Sequence, residues 1–307
     1  MIENYTKIHI QESNNNSSSV DNSQVVEIAF YFSFFLIVSS LFKVVCNGCL
    51  LLVLYKDPCK TLRTPSTVFI GNLSLTGIGA GMTYEPVLAI LGVLRYKMFC
   101  NDQLQTVVLS TAAILWKNSI LTVLAFTVVQ LIAVASPLKH AKKITSKKVL
   151  TANVMILVYS VTSSAIFQYS GWWLRQIFRC LHYILFPTAT LVIYVILYRA
   201  YKHQISQGSS LGCESGDELQ GWIKKRFRQQ QYMTFNLILV LTTFIGTQAA
   251  TVPSLIYDLH EYQESIMSLY LALSMTGFLS LKLVFDTILF AWRFPQYREA
   301  LRALLQK

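Results

Sequence analysis

Four ionisable residues lie inside long apolar stretches of this 307-residue chain: Lys43, Lys117, Lys282 and Asp286. An ionised side chain in hydrocarbon costs roughly 2.5 to 3.5 kcal/mol on insertion scales, so each of the four needs a partner or a task. Lys282 and Asp286 are four residues apart, which puts them on one helix face and within reach of an ion pair. Lys43 precedes Asn47 by one turn. Lys117 either answers an anionic ligand group such as a carboxylate or reaches a backbone carbonyl or polar side chain on a neighbouring helix. Three lysines against one aspartate leave two positive charges, which implies unseen partners, neutral lysines or an anionic ligand.

Other chemistry finds little footing. Five His and six Cys fall at no zinc or redox spacing, so neither a metal nor another cofactor is expected. No catalytic constellation appears, and the chain does not read as an enzyme. Gly77, Gly79 and Gly81 would suggest a phosphate loop only between a strand and a helix. In an apolar stretch they are small residues that let helices approach closely.

The elements that must carry these residues follow from charge. The chain is 53% apolar and 13% charged, where soluble domains carry about 25% charged residues. The formal charge of +11 does not point to nucleic acid, because the basic residues form short clusters between long uncharged stretches. A crossing takes about 20 apolar residues, and seven stretches qualify: 28–55, 64–84, 103–138, 149–174, 180–198, 229–257 and 265–292. The expected fold is an all-α membrane protein, a seven-transmembrane helix bundle spanning 25–292 in lipid. Eighteen of the 26 Lys and Arg fall after spans one, three and five or in the tail, which puts those segments in the cytoplasm and the N-terminus outside. Residues 1–24 read as a disordered extracellular leader with glycosylation acceptors at Asn4, Asn15 and Asn16. No cleavable signal peptide precedes span one, which then serves as the targeting signal. Residues 293–307 place Phe294, Tyr297, Leu301, Leu304 and Leu305 on one face, as expected of a short amphipathic eighth helix on the inner leaflet.

Individual motifs narrow the class. Asn47, the run Lys60-Thr61-Leu62-Arg63-Thr64-Pro65-Ser66-Thr67, then Asn72-Leu73-Ser74-Leu75 and Pro86, resemble the first two helices of rhodopsin-like (class A) G-protein-coupled receptors. Ser119 to Leu138 resembles the inner half of that family's third helix, and Asp286 to Leu301 its seventh and eighth helices. The departures fall on the family's switches. Val129-Gln130-Leu131 replaces Asp-Arg-Tyr, and Gly77 replaces the mid-helix Asp of span two. With Phe244 as anchor, Gln248-Ala249-Ala250 replaces Trp-x-Pro, and Asp286-Thr287-Ile288-Leu289-Phe290 replaces Asn-Pro-x-x-Tyr.

The resemblance implies several roles. Asn47, Gly77, Ser119 and Asp286 would surround one polar pocket where many relatives hold sodium; here Lys43 or Lys282 is expected to supply the cation instead. Trp116, Lys117, Tyr183, Gln248, Thr251, Thr276 and Ser280 are candidates for a ligand pocket. Cys100 and Cys180 are candidates for the family's outer disulfide. Gln130 and Gln230 would form an amide latch on the G-protein side, weaker than the usual ion pair. Retinal would need a lysine where this chain has Ser280, with Lys282 on another face. The implied function is a plasma-membrane receptor that passes binding of an extracellular small molecule to heterotrimeric G proteins. The alternatives are a non-signalling decoy or heteromer partner and an opsin-like photoreceptor.

Overall fold

Four helices among the described residues are long and apolar enough to cross a membrane: Phe30–Lys56, Thr106–Ala135, Ser146–Tyr169 and Trp172–Gln204, with a shorter apolar helix at Asn236–Ala249. The computed structural model describes residues 22–57, 64–94, 102–136, 144–209, 233–234, 236–249, 251, 266–293 and 295–306. In chain order the helices are α1 (Asn22–Lys56), α2 (Pro65–Met82), α3 (Tyr84–Leu94), α4 (Asp102–Ala135), α5 (Ser146–Tyr169) and α6 (Trp172–Cys180). A π-helical turn (Leu181–Leu185) leads into α7 (Phe186–Ser209), followed by α8 (Asn236–Ala249), α9 (Ile266–Arg293) and α10 (Pro295–Leu305). The acceptors Asn4, Asn15 and Asn16 lie outside the described residues.

The helix ends follow local chemistry. Thr64 caps α2 with Pro65 in its first turn, and the Thr64 N–H donates to Thr67 Oγ1 at 3.2 Å. Pro86 has no N–H to give the Met82 carbonyl and crowds it, which breaks the helix between α2 and α3 at Thr83. Thr83 closes that break by donating its N–H (3.0 Å) and hydroxyl (2.6 Å) to the Gly79 carbonyl. The second apolar stretch therefore runs past its expected end at 84 to Leu94, and Glu85 lies inside the bundle. The fourth stretch ends at Tyr169 rather than at 174, because Ser170-Gly171 turns the chain before α6 begins.

α1 packs on α2, α3 and α9, while α4 packs on α2, α5 and α7. Polar side chains tie these contacts. Asn72 donates to Thr122 Oγ1 (2.7 Å), Asn118 to Thr76 Oγ1 (2.7 Å) and Asn153 to the Val68 carbonyl (3.2 Å). Phe30, Phe34, Leu41 and Val45 of α1, with Leu150, Val154, Val158 and Val161 of α5, are exposed, as helix faces solvated by hydrocarbon would be. Tyr297 and Ala300 of α10 are buried in the cluster that holds Leu50 and Val53 of α1. Burial pushes the Tyr297 hydroxyl up to about 12, so it remains a neutral phenol.

Candidate functional site

Gly77 and Gly81, one turn apart on α2, bring α1 close enough to build the centre of the bundle. A Cβ on Gly81 would lie 2.7 Å from the Ser40 carbonyl oxygen, and one on Gly77 would lie 2.5 Å from Asn47 Nδ2. The Ser40 hydroxyl uses that approach to donate to the Gly81 carbonyl at 2.5 Å. Ser39 and Lys43 occupy the next positions on the buried side of α1.

Lys43 pairs with Glu85, both fully buried. Ser280 of α9 accepts from Lys43 Nζ (2.6 Å), donates to Glu85 Oε1 (2.5 Å) and so receives the Ser39 hydroxyl (2.9 Å). Tyr84 accepts from Trp116 Nε1 at 2.9 Å and donates to Glu85 Oε1 at 3.2 Å. One carboxylate oxygen thus binds side chains of α1, α3 and α9, and α4 joins them through the Trp116–Tyr84 bond. The cation beside Asp286 is therefore not Lys43, because Lys43 is held by Glu85, the acid that follows directly on the charge-free stretch 64–84.

Lys282 is the cation beside Asp286. Its ammonium donates to Asp286 Oδ2 at 2.7 Å and to the Ser119 hydroxyl of α4, all three being buried. Ser119 lies 3.4 Å from the same oxygen. Asn47 is turned to the Lys43 carbonyl (2.9 Å) and packs against Gly77. The residues do not fit a sodium ion here: the second carboxylate such a pocket would use is a glycine, and an ammonium already binds Ser119 and Asp286.

Lys117 stands apart from both pairs. It donates to Ser164 Oγ at 3.0 Å and Ser163 Oγ at 3.5 Å, both on α5, and lies 5.5 Å from the centre of the Phe167 ring. It is 2% exposed and has no carboxylate partner among the described residues. His182 lies within electrostatic reach on the π-helical turn. It is 1% exposed, stacks on Tyr159 of α5 at 5.6 Å, and its Nδ1 binds the Phe178 carbonyl at 2.7 Å while Nε2 has no partner among the described residues. Nothing in the sequence singled out His182, whose burial follows from tertiary stacking.

The remaining pocket candidates are held by other contacts. Pro187 has no N–H for the Tyr183 carbonyl, and the Gln248 amide of α8 fills that place at 3.0 Å. The crowded carbonyl also accounts for the widened turn at Leu181–Leu185. Trp116 gives its one donor to Tyr84, and Ser280 is engaged on three sides. Thr251 is buried and Thr276 half-buried, and each has a partner. Gln130 turns its amide to Ser66 Oγ of α2 at 3.3 Å; Gln230 lies outside the described residues. Cys180 is an exposed free thiol at the end of a helix, and Cys100 lies outside the described residues.

No family model and no curated protein matches the chain. Among solved structures it is similar to the crystal structure of squid rhodopsin, with a TM-score of 0.76 over 92% of this chain and 86% of that one at 14% identity. At that identity the likeness is one of fold, and the fold is that of a rhodopsin-like helical membrane protein.

Proposed function

We propose that this chain is a plasma-membrane receptor of the G-protein-coupled class. Its N-terminus is outside, it has seven spans and a short eighth helix, and an extracellular small molecule shifts the bundle toward a form that binds a heterotrimeric G protein. The spans are α1, α2 with α3, α4, α5, α6 with α7, the region of α8, and α9; α10 lies along the inner leaflet. The observation that carries the reading is the match to squid rhodopsin over 92% of the chain. The distribution of Lys and Arg supports the orientation.

The switch residues bear on how such a receptor would behave. Gln130 binds Ser66 through a 3.3 Å neutral hydrogen bond, worth about 0.5 to 1.5 kcal/mol, where a charged latch would hold the resting state more firmly. Basal nucleotide exchange above that of untransfected cells, at matched surface expression of an N-terminally tagged chain, is the expected result. Exchange at background for every G-protein family, with or without a ligand library, would support the decoy or heteromer reading instead. An opsin-like role has the weaker case, since the hydroxyl of Ser280 on α9 is held by Glu85 and Lys43.

A further inference from the structure

Glu85 changes the account of buried charge. Among the buried charged side chains of the described helices three lysines face two acids, a third buried acid, Asp57, lying just past the end of α1; Lys43 is matched by Glu85 and Lys282 by Asp286, and the surplus cation is Lys117. Two hydroxyls and an aromatic face soften the cost of a buried ammonium but do not neutralise it. A hydroxyl is also an unfinished partner. Ser163 passes its proton to the Ser160 carbonyl at 3.3 Å, whereas the Ser164 proton goes to no acceptor among the described residues. Lys117 and Ser164 therefore present donors side by side, which is what a carboxylate takes.

The second observation is His182. Its Nδ1 faces a carbonyl and so carries the proton, which leaves Nε2 as a buried acceptor without a donor among the described residues. Tyr159, on which the ring stacks, is five residues before Ser164 on α5, so the ring and the donor hydroxyl stand about 7.5 Å apart along that helix. The ring rides on the π-helical turn, a deformable element.

We propose that Lys117, Ser164 and His182 form a binding site for a small organic carboxylate, Lys117 and Ser164 holding the carboxylate and His182 Nε2 accepting from a hydroxyl or amine farther along the ligand. The site names the ligand class of the receptor proposed above and rests on that reading for its consequence, but binding is measured without a G protein, so failure of signalling leaves it intact. The site is closed in this conformation, and ligand binds molecules in which the turn has moved outward.

The test uses the purified full chain in detergent, with hexanoate, 3-hydroxyhexanoate, hexanamide and palmitate as probes. Hexanoate at a hundredfold excess over its Kd should raise Tm by about 5 °C, 3-hydroxyhexanoate should act at lower concentration, and hexanamide should do nothing. Lys117→Met should abolish the shifts, and His182→Phe, which keeps the stack, should remove only the preference for the hydroxyl. A shift with palmitate and not hexanoate would assign the effect to a lipid chain rather than to a small carboxylate and would count against the proposal. Saturation-transfer NMR of hexanoate against hexanamide on the unmodified chain gives the same answer should the variants fail to fold. The proposal is overturned if no carboxylate is distinguished from the amide, or if the shift persists in Lys117→Met.

Discussion

Lys43 of α1 and Glu85 of α3 are partners in a fully buried ion pair, and Ser280 of α9 binds both. Removing one member of such a pair leaves an uncompensated charge, at a cost of about 3 to 5 kcal/mol, whereas replacing both with apolar groups is often neutral or stabilising. Lys43→Met or Glu85→Leu alone should lower the melting temperature strongly, and the double variant should recover most of the loss. A double-mutant cycle on purified protein measures the coupling. Additive losses would mean that the two side chains do not act as a pair.

Glu85 also marks where the sequence was readable and where it was not. Charge-free length locates the helices, and Lys282 and Asp286 announce their pairing because a helix brings residues four apart onto one face. Glu85 is different. It stands at the end of a charge-free stretch, where an acid reads as a boundary, and only the Pro86 break with Lys43 on the neighbouring helix turns it inward. Its partner is 42 positions away in sequence, and no local pattern encodes such a distance. His182 is hidden for a related reason, since Phe178 and Phe186 flank it locally but the ring it also stacks on, Tyr159, comes from α5. Lys117 was legible as an anomaly, but the hydroxyls of Ser163 and Ser164 that receive it were not.

Sodium should leave this protein's stability unchanged. Asp286 and Ser119 share the Lys282 ammonium, and a metal ion would have to displace a covalently tethered cation from a buried carboxylate. Melting in sodium chloride and in choline chloride at equal ionic strength should coincide. Lys282→Met should be less stable by several kcal/mol, on the order of the cost of an orphaned buried charge, and should regain part of that loss in sodium. Sodium stabilisation of the unmodified protein that disappears in Asp286→Ala would falsify the built-in cation.

The contact between Gly77 and Asn47 gives a steric prediction. A methyl group on Gly77 would lie 2.5 Å from Asn47 Nδ2 and 2.9 Å from its Cγ. The Asn47 side chain must then rotate away and give up its bond to the Lys43 carbonyl. Gly77→Ala should cost about 1 to 3 kcal/mol, the usual penalty for overpacking. Asn47→Ala should relieve most of it in the double variant. Gly81→Ala, which meets the Ser40 backbone at 2.7 Å, has no such rescue because a helix backbone cannot rotate aside. Equal recovery at both glycines would contradict the assignment of one clash to a side chain and the other to backbone.

Gln248 and Pro187 make a pair of a different kind, because they never need to touch. Pro187 deprives the Tyr183 carbonyl of its helical donor, and Gln248 supplies one from α8 at 3.0 Å. Gln248→Leu should therefore leave a buried carbonyl unpaired and cost about 1 to 3 kcal/mol. Pro187→Ala restores an N–H that can reach that carbonyl as the turn tightens from π toward α geometry. In the Pro187→Ala background the cost of Gln248→Leu should fall to a few tenths of a kcal/mol, roughly the size of a surface substitution. An unchanged cost would mean that Gln248 stabilises α8 by packing alone. The expected loss of coupling instead identifies Gln248 as the cross-helix replacement for a hydrogen bond that proline removed.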